Sequence, residues 1–133
     1  MRSFVAALTL ISVVSAGCNE RKGYGIALMN RSHQALNEVA ILSGDESADR
    51  LRATAAHMAP GAFMSFSITA PLAKHSDVQW AEQAGTAHQM SVNTDVPQKF
   101  NGYAVFQFDP EGVVQFRLVN DGDLNSYIDQ SRK

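Results

Sequence analysis

Residues 103–118 read YAVFQFDPEGVVQFRL. Ala104, Phe106 and Phe108 alternate with Tyr103, Val105 and Gln107. Asp109-Pro110-Glu111-Gly112 follows, with proline early and glycine late, as a four-residue hairpin turn prefers. Val114, Phe116 and Leu118 then alternate with Gln115 and Arg117. A period of two in side-chain polarity is the mark of a half-buried strand, so the stretch predicts a β-hairpin.

The same period recurs upstream. Tyr24, Ile26 and Leu28 alternate with Gly25, Ala27 and Met29, and Asn30-Arg31-Ser32-His33 makes a polar turn. Asn37, Val39 and Ile41 form a second alternating set. Over 63–70, Met64, Phe66 and Ile68 fall on one side, with Ser65, Ser67 and Thr69 on the other. Val78 and Trp80 flank Gln79, Gly85-Thr86 reads as a turn, and His88, Met90 and Val92 follow in alternation. About seven short strands at regular spacing predict an all-β fold, a small antiparallel β-sandwich of immunoglobulin-like size over 24–120. The sequence has one cysteine, so the cysteine pair of an immunoglobulin domain is missing although Trp80 sits mid-chain.

Two segments fit less well. Residues 43–58 (SGDESADRLRATAAHM) are polar first and Ala-rich later, and predict a loop with a helical turn capped by Ser47 or Asp49. A long loop followed by an edge strand is the alternative. Residues 121–133 predict a loosely held polar tail with one helical turn.

The chain begins MRSFVAALTLISVVSAGC. Arg2 gives a positive start, residues 4–14 are almost unbroken apolar sequence, and Ser15, Ala16 and Gly17 are small. This is the layout of a secretion signal over 1–17. An apolar run of this length spans roughly 16 Å as a helix, about half a bilayer core, and so does not cross a membrane. Ser15-Ala16-Gly17-Cys18 resembles the lipobox of bacterial lipoproteins, with Ser15 where that family usually carries leucine. The resemblance implies a diacylglycerol on the Cys18 sulfur, cleavage before Cys18 and a lipidated tether over 18–23. Asn19, where that family uses aspartate for inner-membrane retention, implies an outer-membrane anchor facing the periplasm.

Composition excludes several functions. The 133 residues carry 11 basic and 13 acidic side chains, so there is no basic surplus to neutralise nucleic-acid phosphates. Losing 1–17 removes only Arg2 among the charges, leaving 10 basic against 13 acidic side chains. A lone cysteine cannot build a cysteine-based zinc site. His33, His57, His75 and His88 lack metal-ligand spacing, and the Asp121-Gly122-Asp123 stretch fails the calcium-loop pattern at Ser126 and Arg132. No metal and no cofactor is expected. No G-x-S-x-G elbow, H-E-x-x-H pair or G-x-x-x-x-G-K-[ST] loop occurs, so no catalytic residues are assigned and no enzyme is expected. A sandwich of this size fills its interior with side chains, so no small-molecule ligand is expected either.

Binding to a protein remains. Residues 95–102 (DVPQKFNG) form a connection between two strands, and loops carry binding function more often than cores do. Pro97, Lys99, Phe100 and Tyr103 are the candidate partner-binding residues, the aromatics as anchors. Val78-Gln79-Trp80, Gly85, His88, residues 103–108 and Gly112-Val113-Val114 together resemble the small lipoproteins encoded beside type VI secretion phospholipase effectors. Those carry V-x-W…G-x-x-H, an aromatic-ended strand and then D-G-x-V, from which Asp109-Pro110-Glu111-Gly112 departs by an insertion. The resemblance implies an immunity protein that neutralises a secreted phospholipase toxin. The alternative is a structural or assembly lipoprotein of the cell envelope.

Overall fold

The 103–118 hairpin forms, although Leu118, expected on the inner side, is exposed and Gln107, expected on the polar side, is buried. In the computed structural model, which describes residues 24–44, 51–67, 71–82 and 85–133, its two arms are β7 (Gly102–Phe108) and β8 (Val114–Asn120). They pair antiparallel with Phe106 opposite Phe116. The other strands are β1 (Gly25–Asn30), β2 (Leu36–Ser43), β3 (Leu51–Met58), β4 (Phe63–Phe66), β5 (His75–Glu82) and β6 (Ala87–Asn93). A 3-10 turn (Asp121–Asp123) and helix α1 (Leu124–Ser131) close the chain. The signal segment 1–17, Cys18 and the tether to residue 23 lie outside the described residues, as do 45–50 and Ile68 to Ala70.

The strands make two four-stranded sheets, β4-β1-β7-β8 and β3-β2-β5-β6. Their inner faces meet in one core. Ile26, Leu28, Ala104, Phe106 and Phe108 come from the first sheet, and Leu36, Val39, Ile41, Val78 and Trp80 from the second. Trp80 meets Phe108 edge-on at 5.4 Å between ring centroids, and Phe106 meets Phe116 at 5.2 Å. Such tilted ring pairs add to what their buried area supplies.

The all-β sandwich is therefore present, with eight strands where about seven are expected. The added strand is β3. Residues 51–58 are an edge strand antiparallel to β2, not a helical turn. Ala53, Ala55 and Met58 point inward while Arg52 and Thr54 face solvent. Alanine favours helices in isolation, but the ladder offered by β2 overrides that preference.

The sandwich is also not wholly antiparallel. β1 runs parallel to β7, with Gly25 beside Tyr103 and Asn30 beside Phe108. Parallel strands are characteristically buried on both faces. Ile26, Ala27, Leu28 and Met29 are accordingly all fully buried, as are Ala104, Val105 and Phe106. The outer face of this sheet carries its own small core of Ala27, Met29, Val105 and Val119, packed by Phe63, Tyr103, Leu124 and Tyr127. Leu124 and Tyr127 belong to α1, so residues 121–133 are a docked helix and not a loose tail. The Tyr127 hydroxyl donates to Gln107 Oε1 at 2.8 Å, Gln107 Nε2 donates to Asp109 at 2.9 Å, and Arg132 Nε donates to the Gly61 carbonyl at 2.8 Å. The first two bonds satisfy the Gln107 side chain, which is buried near the end of β7.

Candidate functional site

One end of the sandwich gathers the start of β1, the end of β4, the 71–74 connection and the residues between β6 and β7. A chain of buried hydroxyls fastens it. Ser76 Oγ donates to Ser43 Oγ, and Ser76 and Thr94 hydroxyls meet, each at 2.9 Å. Thr94 Oγ1 donates to the Ala73 carbonyl at 2.7 Å, and the Ala73 amide donates to Ser43 Oγ at 2.9 Å. The Leu72 amide donates to the Tyr24 hydroxyl at 2.7 Å. Burial pushes the Tyr24 phenol pKa above its ordinary value, against the opposing effect of that backbone bond.

The connection between β6 and β7 is built as anchors and a tip. Thr94 is fully buried, Val96 packs on the main core, and Phe100 packs on Tyr24 at 6.0 Å between centroids. Pro97, Gln98 and Lys99 are exposed between them. The Phe100 amide donates to the Pro97 carbonyl at 3.3 Å, closing a turn with Lys99 at φ 65°. That backbone region is natural for glycine, and holding it with a lysine costs about 1–2 kcal/mol. Lys99 is thus presented on a turn that its own backbone would not choose.

The four residues expected to bind a partner divide accordingly. Pro97 and Lys99 are at the exposed tip. Phe100 is half-buried and props the turn from below. Tyr103 lies one step away, its ring laid over Gly25, where a Cβ would come within 2.9 Å of Cε2. Gly102 is required between them: a Cβ there would collide with the Val119 carbonyl oxygen and come within 3.0 Å of the Phe100 ring.

Beside this loop, on the outer face of the first sheet, is an open cleft of about 420 Å³. Its lining includes Gly25, Ser65, Ser67, Asn101, Tyr103 and Asp121. Sequence reading singled out Tyr103 and the 95–102 stretch that holds Asn101, and missed Gly25, Ser65, Ser67 and Asp121, because they come from three separate segments and no local pattern joins them. At the other end, Trp80, Glu82, Phe108 and Asp109 edge a notch of about 10 Å³, room for roughly one water. There His88 stacks on Trp80 at 5.2 Å, with Nε2 3.0 Å from Glu82 Oε2. The ring is a packed strand residue, paired across strands with Trp80 as its alternation implied. Among the described residues, no three His, Cys, Asp or Glu side chains gather as metal ligands would.

No protein-family model matches the chain, and no curated protein matches it in sequence. An NMR structure of a protein from Eubacterium rectale is similar in fold, with a TM-score of 0.51 and 16% sequence identity. The superposition covers 73% of this chain and 88% of that one. At that identity the likeness speaks for the fold alone, a two-sheet β architecture that the two chains share.

Proposed function

We propose that this chain is a non-catalytic lipoprotein of the bacterial envelope, anchored through Cys18, which binds a protein partner with the end of the sandwich bearing Lys99. The reading is carried by the strained Lys99 turn standing at the end of the fold where the chain enters. From Cys18 to Tyr24 is six residues, at most about 20 Å of extended chain. A lipid on Cys18 would therefore keep the Pro97–Lys99 tip, the Tyr24–Phe100 prop and the cleft close to the bilayer. An enzyme attacking lipids at that surface would meet this end first. That supports an immunity protein against a type VI phospholipase toxin, with the outer membrane as the anchoring surface.

Two experiments test the reading. Labelling with an alkyne-bearing palmitate should mark the wild-type chain, and Cys18→Ser should lose the mark and move the protein to the soluble periplasmic fraction. Capture from the native secreted and periplasmic proteins should then retain a stoichiometric hydrolase whose activity the bait abolishes. Retention of envelope-assembly proteins alone would favour the structural alternative. Loss of capture on Lys99→Ala, with an unchanged melting temperature, would assign the binding to this tip.

A further inference from the structure

The cleft on the outer face of the first sheet is not empty of chemistry. The Tyr103 ring, lying over Gly25, borders it with the hydroxyls of Ser65 and Ser67, and Asn101 and Asp121 also line it. Asp121 is the one ionisable carboxylate among these residues, and among the described residues no lysine or arginine lines the cleft. Its carboxylate makes no ion pair among the described residues. An anion here would face that negative charge directly. A divalent cation needs about six oxygens, most of them fixed, which a single carboxylate does not begin to supply. An apolar group would pack on Tyr24 and Phe66, which also line the cleft, but would leave the seryl and amide groups without partners. A neutral hydroxylated ligand would donate to the carboxylate but leave its charge unneutralised. A basic side chain answers every feature: a charge for Asp121, N–H donors for the Ser65, Ser67 and Asn101 oxygens, and a cationic plane for the Tyr103 ring.

We propose that this cleft receives an arginine side chain of the protein partner, seated between Tyr103 and Asp121. Arginine suits it better than lysine, because a planar guanidinium both stacks on a ring and presents several donors in a fixed fork. The inference rests on the reading of the chain as a protein-binding module and names the chemistry of the partner's anchor. It also places that anchor beside the Lys99 tip, so the partner surface must offer an arginine for the cleft and an acceptor or acid for Lys99.

The test uses the mature chain, residues 18–133 with Cys18→Ser, labelled with ¹⁵N. The probe is N-acetyl-arginine amide, with N-acetyl-citrulline amide as its uncharged isostere and methyl glucoside as a neutral hydroxylated control. Amide shifts are expected at Gly25, Asn101, Gly102, Tyr103 and Asp121 with the arginine probe at millimolar concentration. Asp121→Asn should weaken that binding about fivefold, as loss of one exposed ion pair would, while leaving the spectrum of the fold unchanged. Equal shifts from the citrulline isostere, shifts from the glucoside alone, or no shifts at the cleft would each overturn the arginine assignment. Capture of a protein partner is read separately, so a silent cleft with a retained partner would remove this inference and leave the binding function standing.

Discussion

The outer faces of the two sheets are opposites. On the first, α1 lies across Ala27, Met29, Val105 and Val119, and buries Gln107 with its hydrogen bonds intact. On the second, Asn37, Thr54, Gln79, Gln89 and Ser91 project outward with no helix packed over them among the described residues, and the inward neighbours His88, Met90 and Val92 alternate with Gln89 and Ser91. Both sheets spring from short apolar strands of similar length. The difference teaches that period-two polarity reports one covered face, whereas an unbroken apolar run such as Ile26 to Met29 reports two.

A charge placed on each face should break the comparison most sharply. Val105→Asp puts a carboxylate into the apolar patch beneath α1, where cross-strand Arg117 can offset only part of its lost hydration, and should cost about 3–5 kcal/mol in urea unfolding or abolish folding. Gln79→Asp, on the open face, should change stability by less than about 0.5 kcal/mol. Equal costs would mean that the helix does not shield its face. Removing α1 by ending the chain at Asp123 sits between these extremes. It bares the Met29 and Val105 patch, so dye binding to exposed apolar surface should rise along with the loss of stability.

Tyr127 sharpens the same contrast at finer scale. Tyr127→Phe keeps the ring on the apolar patch but leaves Gln107 Oε1 without its donor, at a cost of about 1–2 kcal/mol. The phenol also makes this face sensitive to alkali. Burial raises the Tyr127 pKa above its ordinary 10.0, outweighing a bond to Ser131 and the charges of Arg117 and Arg31. A folded pKa above the unfolded one means that the folded state binds more protons in that range. The stabilisation is therefore complete below pH 10 and is lost as pH rises through the folded value. Tyr24 is raised in the same direction. Unfolding followed between pH 9 and 11.5 should show the wild type weakening, and Tyr127→Phe weakening less.

Legibility from sequence followed these physical lines. The hairpin around Asp109–Gly112 and the two-sheet plan rest on local alternation and turn residues, and both could be read. The parallel β1–β7 pairing joins residues nearly eighty positions apart, and no local signal encodes it. β3 was obscured because its inward residues are alanines, whose small side chains make the alternation faint. Helix α1 had a usable signal: Leu124, Tyr127 and Ile128 stand at i, i+3 and i+4, one face of a helix. Its polar remainder masked that face. At the candidate site, the tip residues were visible as a loop between strands, but Asp121, Ser65 and Ser67 join Tyr103 only through the sheet order.

Glu38 and Lys99 offer the smallest and most discriminating effect. Both hold positive φ, 51° and 65°. Glu38 sits in a bulge where it and Val39 together face Trp80, so its backbone geometry serves the sheet. Lys99 sits at an exposed turn that glycine would close more easily. Glycine relieves the strain at either position but gives the unfolded chain more freedom, so each substitution should be worth only about 0.5 kcal/mol of net stabilisation, a rise of roughly 2–4 °C in melting temperature. Function should separate them. Glu38→Gly should keep full partner capture, because the bulge lies within the second sheet beside Trp80, away from the tip. Lys99→Gly should gain the same stability and, on the proposed reading of the tip, lose capture. If both variants bind equally well, Lys99 is only a tolerated defect, and the contact surface has to be sought on the open face of the second sheet.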